Sequence, residues 1–211
     1  GSGRTEMVST IFGAREPDYG EIIIKGEKMR LFTPKNAIDL GVGYVPEERR
    51  VDGIIPQLSV RENITIASIK KYFKLLKLDI QKENETTKEY TSKMNIKAAS
   101  HEQTIRELSG GNQQKVILSR WMEVGCDILI LDEPTRGIDV LAKDEIHQLI
   151  RKMADSGTTI IMVSSEMEEI LMLSDRILIM NEGQMMDIVE AEGMNSEEIL
   201  SIALSDFSKK E

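Results

Sequence analysis

Leu108-Ser-Gly-Gly-Asn-Gln-Gln-Lys-Val116 and, one helix length further on, Ile128-Leu-Ile-Leu-Asp-Glu-Pro-Thr-Arg-Gly-Ile-Asp139 set the architecture of this chain. In the second stretch four apolar residues run without interruption into two carboxylates, Asp132 and Glu133. Such a run is the pattern of a strand buried on both faces, as in a parallel sheet. Its abrupt acidic end places the carboxylates at the carboxyl edge, where open α/β sheets hold ligands. Acidic pairs also end strands where a chain merely surfaces, but the Pro134-Thr135 that follows makes this end more specific. In the first stretch, paired glycines let the backbone approach a ligand closely. Ser109 stands at the N-cap of a helix whose free amides and positive dipole end favour phosphate. A Ser-Gly-Gly helix start is a weak signal alone, and its place one helix ahead of Asp132 strengthens it.

Outward from this centre the periodicities alternate. Val116, Ile117, Trp121 and Val124 mark the apolar side of the helix begun at Ser109. Asp139 caps another, in which Ala142, Ile146, Leu149, Ile150 and Met153 recur at helical spacing. Thr159 to Val163 reads as a second buried strand. Strand, helix, strand predicts a parallel sheet and an α/β class. Arg176 to Met180 and Gln184 to Val189, joined by Asn181-Glu-Gly183, predict a hairpin, and Ser196 to Leu204 a closing helix. Toward the front, Thr5 to Phe12 predicts a short helix, Glu21 to Lys25 a strand between Gly20 and Gly26, and Gly41 to Val45 a strand stopped by Pro46. Ser59 and Glu62 form a capping-box pattern. Residues 70–103 shift to Lys, Glu, Thr and Asn with sparse apolar positions (Ile80, Tyr90, Met94, Ile96), predicting a small helical subdomain with a solvated face.

With 211 residues, 40% of them hydrophobic, the chain can build one domain with a substantial core. Lys and Arg number 27 against 36 Asp and Glu, a net charge of -9 without any run of five basic residues. The footprint of a nucleic-acid partner is therefore missing. The single cysteine, Cys126, reads as a small core residue. No apolar run approaches the ~18 residues that cross a bilayer, so a role at a membrane would depend on other subunits. Gly1 and Ser2 read equally as a cloning remnant or the tail of a phosphate loop, Gly3 as native, and the front as truncated.

The chemistry follows from the acidic strand end, which is a Walker B arrangement. Asp132 is suited to hold Mg²⁺, a hard cation that takes oxygen ligands. Glu133 is suited to orient or deprotonate an attacking water, because phosphoryl transfer needs positioning and charge neutralisation. The Gly-rich loop that should accompany them, ending Gly-Lys-Ser/Thr, survives only as Gly3-Arg4-Thr5.

The signature stretch, the Walker B strand and the Gly137-Ile138-Asp139 loop resemble the nucleotide-binding domains of ABC transporters. With Gly3-Arg-Thr-Glu6 and Val45-Pro-Glu-Glu-Arg-Arg50, the chain is more narrowly similar to the C-terminal of two fused ATPase halves in bacterial importers of ribose, galactose or xylose. The resemblance implies a P-loop NTPase fold of the ABC type: a mostly parallel sheet with flanking helices, a small helical subdomain and a small antiparallel β part. It implies a single domain over residues 1–211, with 1–57 and 104–211 as ATPase core and 58–103 as helical subdomain. ATP and Mg²⁺ are the implied ligands. Gly3, Arg4, Thr5, Glu47, Ser109, Gly110, Gly111, Gln113, Asp132 and Asp139 would face nucleotide, with Thr5 and Asp132 on the metal. The implied partners are an N-terminal ATPase half, membrane permease subunits and, indirectly, a sugar-binding protein, at the cytoplasmic face of the membrane.

Three positions depart from the general family pattern. Arg4 replaces the loop lysine, keeping charge but not a compact ammonium. Glu47 replaces the Q-loop glutamine, adding negative charge near phosphate unless the metal binds it. Ser165 replaces the switch histidine, and the two histidines, His101 and His147, lie elsewhere. The resemblance implies ATP sites shared between two halves, and with these departures it implies that Ser109 to Gln113 serve a nucleotide held by another half, while the local site turns over slowly. By the same resemblance Arg49, Arg50 and Ile54-Ile55 are candidate contacts to a membrane subunit, with a structural loop as the equal alternative. A nucleotide-responsive regulatory module is the alternative reading. A DNA-repair or ribosome-associated ATPase fits poorly with the acidic balance and the lack of a basic arm.

Overall fold

The computed structural model describes residues 2–30 and 32–205; the reading of Gly1 lies outside them. The chain divides into two compact units, residues 1–40 with 162–211 and residues 41–161. The first unit opens with α1, Arg4–Ile11. Gly3 precedes it at φ 82°, and a Cβ there would lie 3.1 Å from Gly183 Cα, so glycine is needed for both conformation and space. The strand expected over residues 21–25 contracts to β1, Ile23–Ile24, paired antiparallel with β2, Glu27–Lys28. Ile24 is buried and Ile23 exposed, and Lys25 and Gly26, at φ 52° and 80°, form the turn that ends the strand at Ile24. Helix α2, Pro34–Asp39, starts with Pro34 in its first turn and Thr33 Oγ1 accepting the Asn36 amide. At six residues it is too short to leave a periodic signal.

The second unit is built on β3, Val42–Val45. After a π-turn over Arg49–Gly53 and the helix α3, Val60–Thr65, a tight ribbon pairs β4, Phe73–Lys74, with β5, Lys77–Leu78. The expected capping box is present: Ser59 Oγ accepts the Glu62 amide while the Glu62 carboxylate accepts the Ser59 amide. Helix α4, Ile80–Lys93, is followed by α5, Gly110–Val124, and by β6, Ile128–Asp132. Helix α6, Val140–Asp155, leads to β7, Thr159–Val163. The sheet order β3-β6-β7 makes β6 central, in parallel register with β3 from Val42 opposite Ile128 to Val45 opposite Leu131. Leu129, Ile130 and Leu131 are fully buried, as their unbroken apolar run requires. The expectation for β7 needs correction: most of it is half-buried, in keeping with its place at the edge of the order β3-β6-β7. Trp121 packs so closely on Gly43 that a Cβ there would be 2.9 Å from the indole.

Residues 70–103 contain one long helix, and it is tied down by polar groups more than by its apolar ones. Arg61 on α3 donates to Glu83 on α4 at 2.8 Å and to Glu102 at 2.7 Å, and Thr65 Oγ1 donates to Glu83 at 2.6 Å. Glu83 is buried, Ile80 exposed.

The remainder of the first unit comprises α7, Met167–Leu173, the antiparallel pair β8, Arg176–Asn181, and β9, Gln184–Glu190, and α8, Ser196–Ala203. The hairpin and closing helix match the sequence reading. Ile177, Ile179, Ala191 and Ile199 form their core.

Candidate functional site

Strand β6 delivers Asp132 to the carboxyl edge of the sheet in a fully buried position. On the parallel neighbour β3, Tyr44 donates its hydroxyl to Asp132 Oδ2 at 3.2 Å. Burial, and then the Asp132 charge, push the Tyr44 phenol above its ordinary pKa, so it stays a donor. Glu133 follows at φ 50°, a left-handed conformation that a non-glycine residue adopts at some cost. The strand therefore ends by turning the second carboxylate out of the sheet's regular path.

The stretch from Glu47 packs against the signature. Arg136, three residues past Glu133, forms an ion pair with Glu47 and lies 3.7 Å from Glu48. The negative charge that Glu47 brings is thus compensated by a cation from the Walker B segment itself. Arg49 Nε donates to Gln113 Oε1 at 3.4 Å, and burial lowers the Arg49 pKa. A Cβ on Gly110 would lie 2.9 Å from Arg49 Nη2, and one on Gly111 2.7 Å from Ala142 Cβ. Gly111 is needed because the Ala142 Cβ of a neighbouring helix occupies the space a side chain would fill, whereas at Gly110 only the end of the Arg49 side chain would have to shift.

Ser109 stands at the N-cap of α5, but its hydroxyl does not cap the helix; it accepts the Asn112 side-chain amide at 2.9 Å. Asn112 in turn accepts the Lys97 amide at 2.8 Å. Gln113 is buried, its amide donating to the carbonyls of Leu108 and Ile105 at 3.1 and 3.3 Å. It props the loop that carries Ser109. Asp139 is exposed and caps α6 through the Ala142 amide, as expected.

Gly3, Arg4, Thr5 and Ser165 belong to the other unit. Arg4 Nε donates to Ser2 Oγ and Nη1 to the Ser164 carbonyl, both at 2.8 Å. Ser164 is buried, its hydroxyl accepting the Glu166 amide at 3.0 Å, whereas Ser165 is exposed. Arg4 is thereby joined to the loop bearing Ser165.

Among the described residues no group of three or more His, Cys, Asp or Glu side chains gathers as a metal cluster. A magnesium ion on one or two protein oxygens, completed by water and phosphate, does not need one.

The family model for ABC transporters matches residues 1–136. This chain belongs to the ABC transporter family. It is 46% identical over 204 residues to a galactose/methyl galactoside import ATP-binding protein of Clostridium tetani, spanning 96% of this chain and 40% of that protein. It is 42% identical over 203 residues to a ribose import ATP-binding protein of Geobacillus kaustophilus, spanning 96% of this chain and 41% of that protein. The chain therefore covers about two fifths of the length of these curated relatives. An ATP-binding cassette solved as a dimer in a post-hydrolysis state, bound to ADP and Pi, shares the fold. Its TM-score is 0.78 at 23% identity, over 92% of this chain and 82% of that one.

As an ABC domain the chain also contains residues that motif reading passed over. Tyr44 was hidden because an aromatic in a β-branched strand reads as core. Arg136 sits inside the Walker B segment, but its partner is 89 residues away, beyond any local pattern. Arg120 on α5 donates to the carbonyls of Asn63 and Gly53 and to Asn63 Oδ1 at 2.7, 2.8 and 3.0 Å. Buried as it is, its pKa is lowered to about 10. It fastens the signature helix to the end of the π-turn that follows Glu47.

Proposed function

We propose that the chain is the energy-coupling, ATP-binding part of a transporter that imports a simple sugar. Its main contribution to ATP turnover is the signature, Ser109 to Gln113, closing over a nucleotide held by a second ATPase half. The observation that carries this reading is a contrast. The signature start is fixed by Arg49, Gly111 against Ala142, and Gln113, whereas the cation that should serve the local phosphate loop, Arg4, is engaged by Ser2 and Ser164. A guanidinium held in that way is a poor substitute for a compact ammonium nested in backbone amides.

In the local site, Asp132 and Thr5 supply hard oxygens suited to Mg²⁺, which when bound neutralises phosphate charge. Glu133 positions the attacking water and accepts its proton, and Ser165 supplies a hydroxyl where an imidazole would reach the phosphate. Gly3, Arg4 and Thr5 contact nucleotide weakly, Glu47 is balanced by Arg136, and Asp139 contacts nucleotide from the start of α6. Turnover at this site is slow. Residues 1–57 and 104–211 act as ATPase core and 58–103 as helical subdomain. The partners are the second ATPase half and membrane permeases, with a sugar-binding protein acting indirectly and nucleic acid taking no part. The working position is the cytoplasmic face of the membrane; among the described residues, no helix is long and apolar enough to cross it.

A nucleotide-responsive regulatory module is the second reading, favoured by the Tyr44 hydroxyl on Asp132 and by the engagement of Arg4. Measuring ATP binding and hydrolysis by the chain alone and mixed with a partner half separates the two. Coupling predicts weak binding and negligible hydrolysis alone, with hydrolysis appearing on mixing. No gain on mixing would favour the regulatory module.

A further inference from the structure

The ribbon Phe73-Lys-Leu-Leu-Lys-Leu78 serves none of the chemistry above, and its composition is unlike the rest of the chain. Leu75 and Leu76 form its two-residue turn and are 92% and 96% exposed. Both have positive φ, 48° and 68°, the backbone of a primed hairpin turn, where Asn-Gly is favoured and leucine is strained. Lys74 and Lys77 stand directly opposite one another across the ribbon, a like-charge pairing that costs stability without an anion nearby. Phe73 and Leu78 form the next pair and are also exposed. Lys70 and Lys71 precede them, and no acidic residue occurs between Glu62 and Asp79. Lys71 is paired with Glu123, so in a chain of net charge -9 three lysines, Lys70, Lys74 and Lys77, and two strained leucines are gathered at one exposed tip.

We propose that this tip docks on an anionic lipid surface, its lysines on headgroups and Leu75 and Leu76 in the interfacial layer. Charge complementarity specifies the headgroups: juxtaposed lysines that repel one another gain from an anionic surface. The leucines specify an apolar layer beneath. A lipid interface suits a narrow projecting tip, whereas a stable protein interface takes about 20–30 residues from each side. The acidic remainder of the molecule does not cancel the attraction, because at physiological salt charges beyond about 8 Å are screened.

The test is co-sedimentation of the full chain with vesicles of phosphatidylglycerol and phosphatidylcholine in equal parts, against phosphatidylcholine alone. Binding to the anionic vesicles and at least about tenfold less to the neutral ones is expected. A Lys74→Glu, Lys77→Glu variant should lose at least about tenfold of that binding. Leu75→Asn with Leu76→Gly relieves the turn strain, so it should fold at least as stably and still bind about tenfold less tightly. Equal binding to both vesicle types, absence of binding, or binding indifferent to these variants would overturn the proposal. So would loss of vesicle binding accompanied by capture of an acidic permease segment, which would make the tip a protein contact.

Discussion

Arg4 keeps a positive charge at the end of Gly3-Arg4-Thr5, and its geometry decides how that charge is used. With Nε on Ser2 and Nη1 on the Ser164 carbonyl, the guanidinium is held by two acceptors of its own unit. Arg4→Lys replaces the planar fork with a compact ammonium that reproduces neither bond. The variant should bind ATP about tenfold more tightly than the parent chain, the worth of one charge-assisted hydrogen bond. Isothermal titration checks this, and unchanged or weaker affinity would show that Arg4 does not limit the local site. Glu47 illustrates the same point with the opposite sign: its charge reads as a defect in isolation and is balanced by Arg136. Both cases show why a residue type at a motif position predicts chemistry less well than the partners around it.

At the scale of elements, the signature helix α5 is positioned by close approach on one side and by a polar hub on the other. Gly111 meets Ala142 at the start of α6, so Gly111→Ala must push the two helices apart. A loss of about 1–3 kcal/mol is expected from overpacking, read as a lower denaturation midpoint at unchanged slope. The α3–α4 pair is fastened by Arg61 between Glu83 and Glu102. The Arg61 hydrogen bond is the largest of the causes that hold Glu102 below its ordinary value of 4.5. A carboxylate depressed in the folded state contributes stability above its unfolded pKa and loses it as pH falls through the folded one. The melting temperature of the parent should therefore exceed that of Glu102→Gln at neutral pH, and the gap should close as pH drops below about 4.5. A gap constant with pH would place the effect in packing instead. Glu102 is largely exposed, so solvent screening keeps the effect small.

Across the whole chain, the elements legible in the sequence are those whose pattern is local. Apolar continuity fixed β6, helical spacing with the Asp139 cap fixed α6, and the Asn181-Glu-Gly183 turn between apolar runs fixed the β8–β9 hairpin. Helix α2 and the residue 73–78 ribbon were too short to carry a period, and β7 looked more buried than it is because composition does not reveal which strand lies at an edge. The signature and Walker B segments were legible as motifs, while Tyr44, Arg120 and Arg136 depended on contacts distant in sequence. The central claim is that this chain acts chiefly through its signature rather than through its own acidic strand end. It is tested most directly by ATPase rates of two variants in a protein joining this chain to a second ATPase half. Ser109→Arg should abolish hydrolysis and Glu133→Gln should leave much of it; loss with Glu133→Gln and retention with Ser109→Arg would contradict the account.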